Sequence, residues 1–319
     1  LRAVLRTPVL LKTLALYYRF ADDDHVRRSR TRAAAWAGRI GKLLLPMYRS
    51  LIRRAPFIDT AGATYANWLH EAFGVPVDRL RVIPNAFDPA VFSPGDVAVS
   101  RRKLGLDRFA MIIGYVGSLT DIRYVDRLIE AVAALRDRGV GLVIVGDGRD
   151  RERLATLARE SGVSDQVVFT GTVPYARVVD YVRCFDVAVD LTLVTMTVGG
   201  RPVPTSYSQK IAQYLGSGVP VVAWDTAETR FLDREAVGAT VPVAAPERIA
   251  GVLQSLIRLR AEERRHMKRR AAEYARTHLS ITALTALRVD AWRAATRPVP
   301  LRTARRAPRR HGVIGRPAR

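Results

Sequence analysis

Cysteine is almost missing from this chain. Cys184 stands alone among 319 residues, so no disulfide can form within it. No cysteine–histidine cluster has the spacing of a metal site, and no metal is expected. Lysine is nearly as scarce, with five against 47 arginines. No apolar run reaches the roughly 18–20 residues that a membrane-spanning helix needs. Histidine is sparse too, and none of the five sits in a recognisable site, which leaves Ser/His/Asp catalysis without support. Acidic residues are rare at the two ends. Residues 1–60 hold 13 Lys/Arg against 4 Asp, and residues 297–319 hold 8 Arg and no acid. Most of the formal +22 charge therefore sits in the termini, and residues 61–296 carry only +5. That near-balanced core lacks the interleaving of aromatic and basic residues that single-stranded nucleic acid requires, so no nucleic-acid partner is expected.

The 48% hydrophobic content suits a globular protein with a full core. Leu5 to Phe20 has a helical apolar pattern. Ala33 to Ile52 reads as a basic amphipathic helix with Pro46 inside it, suited either to a membrane interface or to packing on a domain. From Pro56 onward, strands and helices alternate. Strands are expected at 57–60, 81–83, 111–116, 141–145, 166–170, 186–189, 219–223 and 237–243. Helices are expected at 63–73, 124–138, 151–161, 177–183, 208–217, 246–259, 261–278 and 282–295. Nearly every strand is wholly apolar, as in a parallel sheet covered on both faces. The fold class is therefore α/β, with one complete doubly wound, Rossmann-like parallel-sheet domain. Ligands in such sheets lie beyond the carboxyl ends of the strands. That singles out the loops at 117–123, 146–149, 171–175, 190–207 and 224–228. The Arg/Pro-rich segment 297–319 reads as a disordered tail, either a passive solvated extension or a contact for anionic lipid.

Five stretches carry chemical information in order. Val82-Ile-Pro-Asn-Ala-Phe-Asp-Pro-Ala-Val-Phe-Ser-Pro94 is a strand followed by a turn. Gly114-Tyr-Val-Gly117 ends a strand just before a helix, the geometry that cradles phosphate oxygens. Val145-Gly-Asp-Gly148, Val168-Phe-Thr-Gly-Thr172 and Gln213-Tyr-Leu-Gly-Ser-Gly-Val-Pro-Val-Val-Ala223 follow. Tyr181 to Asp190 lies between the last two. Together they resemble the nucleotide-sugar glycosyltransferases of the GT-B fold, in the large retaining group often called family 4. The resemblance covers residues 56–296.

The resemblance implies a nucleotide-diphosphate sugar as donor, no cofactor, a glycan or lipid-linked acceptor, and retention of configuration at the sugar. It implies a donor site made by Gly117, Ser118, Arg123, Gly146, Gly148, Thr172, Val173, Pro174, Thr205, Lys210 and Gln213. A leaving nucleotide diphosphate develops negative charge that cations and N–H groups must meet. Arg123 and Lys210 are expected to converge on one anion site beside Gly117. The chain departs from the family in four places, one of them Arg123, which stands where a lysine is usual. Ser118 stands where an arginine is usual, Gln213 replaces the glutamate that holds the ribose, and Thr205 replaces its partner glutamate. No residue is assigned a catalytic role. The alternative is a degenerate or truncated member that only binds nucleotide sugar or serves as a scaffold.

The implied domains are a partial acceptor-side domain at 1–90, a donor-binding domain at 91–279, a returning helix at 280–296 and the tail at 297–319. Only about ninety residues precede the Pro-Asn turn, so the chain reads as a fragment, a truncated product or half of a split enzyme. The resemblance implies a cytoplasmic location, including the inner face of the plasma membrane. In the returning helix, Leu284, Leu287, Val289 and Trp292 are expected to form an apolar stripe. Trp292 is expected to contact residues 1–90.

Overall fold

The structure is a computed structural model, and it describes residues 11–12, 46, 50–192, 195–198, 201–204, 208–242 and 245–296. Two parallel sheets organise the chain. Among the described residues the smaller has three strands, β1 (Leu11–Lys12), β2 (Ile58–Thr60) and β3 (Leu80–Val82), in that order. Helix α1 (Ala63–Phe73) connects β2 to β3 and buries Tyr65, Ala66, Leu69 and Phe73. It ends at Gly74, whose φ of +67° is the left-handed conformation that glycine adopts without strain. Leu11 and Lys12 pair with Ile58 and Asp59. The helical pattern of Leu5 to Phe20 is thus overridden at its centre by an edge-strand position, and its other residues lie outside those described. Of the expected helix at 33–52, only Pro46 and residues 50–52 are described. They are helical, as are the following residues 53–54.

Helix α2 (Val97–Leu104) then leads into the larger sheet. The sheet contains β4 (Met111–Val116), β5 (Val140–Val145), β6 (Val167–Phe169), β7 (Val187–Asp190), β10 (Val221–Trp224) and β11 (Gly238–Val241). Their order is β11-β10-β7-β4-β5-β6, all parallel. Between β7 and β10 a hairpin of β8 (Thr195–Val198) and β9 (Arg201–Pro204) interrupts the expected loop, and β9 lies against α1.

Helices α3 (Val125–Leu135) and α4 (Arg151–Glu160) cover one face of the large sheet with α8 (Pro246–Ile257). Helices α5 (Tyr175–Val182), α6 (Gln209–Gly216) and α9 (Ala261–His278) cover the other, with the short α7 (Phe231–Arg234) beside them. The strands supply both cores by alternation. Ile113, Tyr115, Leu142 and Ile144 point one way, and Ile112, Val143 and Val145 point the other. Cys184 lies buried in the second core, where burial pushes its thiol up to about 11, consistent with a packing role. Among the described residues no helix is long and apolar enough to cross a membrane.

Two chain segments join the sheets, and they bond to each other. Phe87 N–H donates to Leu279 O at 3.0 Å, and Ile281 N–H donates to Phe87 O at 2.9 Å. Helix α10 (Ile281–Thr296) thereby returns over the small sheet. Leu284 is buried against Phe57 and Ile83, with Ala86 and Ala291 alongside. Arg288 Nε lies 2.7 Å from Asp59 Oδ2, pairing a carboxylate that is almost fully buried. The expected stripe is corrected here. Leu287 is 55% exposed, Val289 37% and Trp292 42%, and Leu284, Arg288 and Ala291 face the small sheet; the expected contact of Trp292 with residues 1–90 falls largely on residues outside those described. A further tie crosses the cleft between the sheets. Thr64 N–H, in the first turn of α1, donates to Glu228 Oε1 at 2.7 Å. Gly62, the N-cap, has no side chain to do this work, and a Cβ there would come within 2.8 Å of Glu228.

These contacts predict a contrast along α10. Leu284→Ala is expected to cost about 2–4 kcal/mol of unfolding free energy, as buried leucine truncations do. Leu287→Ala, on the exposed side, is expected to change it by less than about 0.5 kcal/mol. Denaturant unfolding of the two variants checks this.

Candidate functional site

The strand order reverses between β4 and β7. From β4 the chain proceeds to β5 and β6 on one side, then returns to β7, β10 and β11 on the other. Connections leaving β4 and β7 therefore diverge, and a crevice opens beyond their carboxyl ends, the general ligand position in such sheets. What lines the crevice is set by three short segments: the turn after β4, the end of β7 and the start of α6.

After β4, Gly117 has φ +153°, Ser118 is exposed and Leu119 is buried. A single 3-10 turn, Asp121–Arg123, follows and closes on Tyr124 at φ +51°. The turn carries Arg123 back over the crevice. Its Nη1 donates to Thr192 Oγ1 at 2.9 Å, and its Nε is buried without a partner. At the end of β7 sits Asp190, with 1% of its side chain exposed. Thr192 Oγ1 donates to Asp190 Oδ1 at 2.6 Å. Helix α6 begins at Ser208, whose side chain accepts from Lys210 N–H. Lys210 in its first turn reaches Asp190 Oδ1 at 3.0 Å and Thr192 Oγ1 at 3.5 Å. The same ammonium stands 5.0 Å from the centre of the Tyr115 ring, a cation–π distance. One turn further along α6, the buried Tyr214 hydroxyl accepts from Val116 N–H at 2.9 Å and ties the helix to the end of β4.

Arg123 and Lys210 are thus brought together on one hydroxyl, although 87 positions separate them in sequence. A Cβ placed on Gly117 would sit 3.4 Å from Lys210 Nζ and 2.8 Å from Tyr115 Oη, so the pair lies beside that glycine. The charges are mutually adjusted. Burial lowers the Lys210 pKa, and Asp190 opposes that fall without cancelling it. Burial also disfavours charge on Asp190, but the Lys210 ammonium and the Ser208 and Thr192 hydroxyls outweigh it and hold the carboxyl below its ordinary range. Burial drives both neighbouring phenols, Tyr115 and Tyr214, upward, with Asp190 adding to the effect.

The remaining sequence-derived residues fall in three places. Gly146 and Gly148 face the turn after β4. A Cβ on Gly146 would lie 2.1 Å from Gly117 O, and one on Gly148 would lie 2.3 Å from Leu119 O. The room these glycines leave is filled by backbone of the neighbouring loop, locked by Gly117 N–H to Val145 O and Leu119 N–H to Asp147 O. Thr172 and Pro174 are exposed, and Val173 packs against the core below them. Gln213, one turn after Lys210, donates to Tyr175 Oη at 3.1 Å, so α6 and the first residue of α5 meet there. Thr205 lies outside the described residues. Among the described residues no group of three or more His, Cys, Asp or Glu side chains could hold a metal. Sequence reasoning missed Asp190, Thr192 and Tyr214. An acid closing the apolar run Val187-Ala-Val-Asp190 was the available signal.

Two predictions follow from this packing. Gly146→Ala is expected to cost at least about 2 kcal/mol, since it combines backbone strain at φ +139° with a clash against Gly117. Gly162→Ala, at φ +68° with open space around it, should cost only about 1 kcal/mol. Thermal unfolding of both separates clash from strain. The second prediction concerns acid. At the amino end of β7, Asp186 is also held low, because Lys268 at 3.0 Å and Arg101 outweigh its burial. A carboxyl depressed in the folded state stabilises above its unfolded pKa of about 3.9 and loses that contribution as pH falls further. Stability should therefore fall steeply below about pH 4, and Asp186→Asn should flatten that limb in acid titrations followed by circular dichroism.

Residues 110–259 match the family described as glycosyl transferases group 1. The chain is 32% identical over 217 residues to a D-inositol 3-phosphate glycosyltransferase of Acidothermus cellulolyticus, covering 62% of this chain and 45% of that protein. It is 27% identical to a 2-deoxystreptamine glucosyltransferase of Streptomyces kanamyceticus, covering 68% and 54%. The chain thus spans about half the length of these relatives. Its fold resembles that of Anabaena HepE solved with UDP and glucose, with a TM-score of 0.67, 15% identity, and 92% and 73% of the two chains covered. Sucrose-phosphate synthase from Thermosynechococcus elongatus gives the same TM-score at 18% identity, covering 92% of this chain and 69% of the other. Residues 110–259 are thus similar in sequence to the group 1 glycosyl transferases, and the chain folds on an α/β scaffold that is GT-B-like.

Proposed function

We propose that this chain is the donor-binding part of a retaining glycosyltransferase that moves a sugar from a nucleotide-diphosphate sugar to a glycan or lipid-linked acceptor. The observation that carries the reading is the convergence of Arg123 and Lys210 on Thr192 at the strand-order reversal. Two cations in a partly buried crevice can meet a diphosphate, the guanidinium in a bidentate manner. As the glycosidic bond breaks, the leaving diphosphate gains charge, and cations already fixed in place stabilise it without reorganisation. Gly117 stands at the same mouth, beside Lys210 Nζ. The nucleoside would extend along α6 toward Gln213 and the 172–174 loop. Uridine nucleotides are the first choice of probe, since HepE structures hold UDP and UDP-glucose.

In this reading, residues 91–279 hold the donor, and residues 1–90 and α10 belong to the acceptor side. A second reading is favoured by Gln213, whose amide bonds to Tyr175 and offers no carboxylate for a ribose diol. Under it the chain binds nucleotide sugar without transferring the sugar.

Calorimetry of the full chain with UDP, GDP and ADP tests the common core of both readings. At least one nucleotide should bind, and Lys210→Ala or Arg123→Ala should weaken it about tenfold or more, as loss of a charge-assisted contact does. Silence with all three nucleotides would overturn the donor site. Binding of UDP-glucose with no release of UDP in the presence of candidate acceptors would favour the second reading.

A further inference from the structure

We infer that Asp190 is a positioning residue of the diphosphate site, one that keeps Lys210 charged and, through Thr192, aims Arg123 into the crevice between β4 and β7. The inference rests on the donor-site reading above. Asp190 itself is too deeply buried to meet a ligand, with 1% of its side chain exposed. Its Oδ1 gathers the Lys210 ammonium at 3.0 Å and the Thr192 hydroxyl at 2.6 Å. With its proton committed to Asp190, the Thr192 oxygen turns its lone pairs outward, and there it accepts from Arg123 at 2.9 Å and from Lys210 at 3.5 Å. One carboxylate therefore fixes both cations, one directly and one through a hydroxyl.

The need for it is electrostatic. Arg123 and Lys210 are like charges sharing one acceptor in a partly buried place, which favours loss of the lysine proton. Among the described residues, the groups facing Lys210 are Arg123 from the turn after β4, Tyr115 from β4 and Asp190 from β7, with Tyr214 on the same helix set against Asp190. Of these, Asp190 is the anionic group, since burial keeps both phenols protonated. Neutralising Asp190 would leave Lys210 between a guanidinium and the Tyr115 phenol. A neutral amine there would take up a proton only when a diphosphate arrives. Affinity alone cannot read this, because removing Asp190 also removes a like charge from beside the anion. Protons can.

The test is calorimetry of UDP binding to the full chain at pH 8, in buffers of different ionisation heat. The wild type is expected to take up almost no proton, and Asp190→Asn about one per UDP bound. Equal uptake by the two proteins would overturn the proposal, whereas a wild type that binds no UDP would overturn the donor-site reading first. Should Asp190→Asn fail to fold, Thr192→Val provides a separate test. It leaves the Asp190–Lys210 pair intact and cuts the link to Arg123. About tenfold weaker UDP binding with unchanged proton uptake is expected, with recovery in Thr192→Ser. Wild-type affinity in Thr192→Val would equally sink the proposal.

Discussion

A carboxylate closed off from water must be met by opposite charge or lose its own. Asp190 imposes that condition on the whole carboxyl edge of the large sheet. Lys210 must lie within reach, so α6 must begin where Ser208 caps it. Thr192 must turn its hydroxyl inward, which fixes the first residues beyond β7. Arg123 then finds an acceptor, and the tight turn after β4 takes its course. Tyr214 completes the arrangement by bonding the end of β4 from the same helix. Three separated segments are thereby held to one buried charge.

At the opposite edge of β7 the same device recurs in structural form. Asp186 takes Lys268 and Arg101 and also accepts from Ile112 N–H, which binds α9 and α2 to the sheet. One strand thus carries an acid at each end. The amino-terminal acid anchors helices, and the carboxyl-terminal acid arranges cations around a crevice.

Much of this was legible in the chain. Helices α1 and α9 and strand β4 run over the residues that periodicity and flanking glycines indicate. Arg123 and Lys210 could be paired because a strand–loop–helix motif and a helix start both lead to one mouth. Other features were hidden for physical reasons. Helix α2 buries none of its residues, so it has no apolar stripe to read. At about 100° per residue, Leu284, Leu287, Val289 and Trp292 spread around the helix, whereas Leu284, Arg288 and Ala291 share one side. A search for apolar letters alone passes over an arginine that packs and pairs with Asp59. Asp190 was hidden because a polar residue closing a strand is ordinary, and only the fold shows how deeply this one is buried. The glycines at 146 and 148 were legible as close approaches, but the neighbour they admit is another loop of the same chain.

The bond from Thr64 to Glu228 spans the gap between the two sheets. Helix α1 has no capping side chain of its own, because Gly62 occupies that position. Its first-turn N–H group is satisfied from the other side of the gap. Any hinge motion that draws the sheets apart must first uncap this helix and hand its end to solvent. The free energy of opening thus includes the hydration of a helix terminus and of a released carboxylate. Breathing of the cleft is coupled through Glu228 to fraying at the start of α1, two motions that would otherwise be independent.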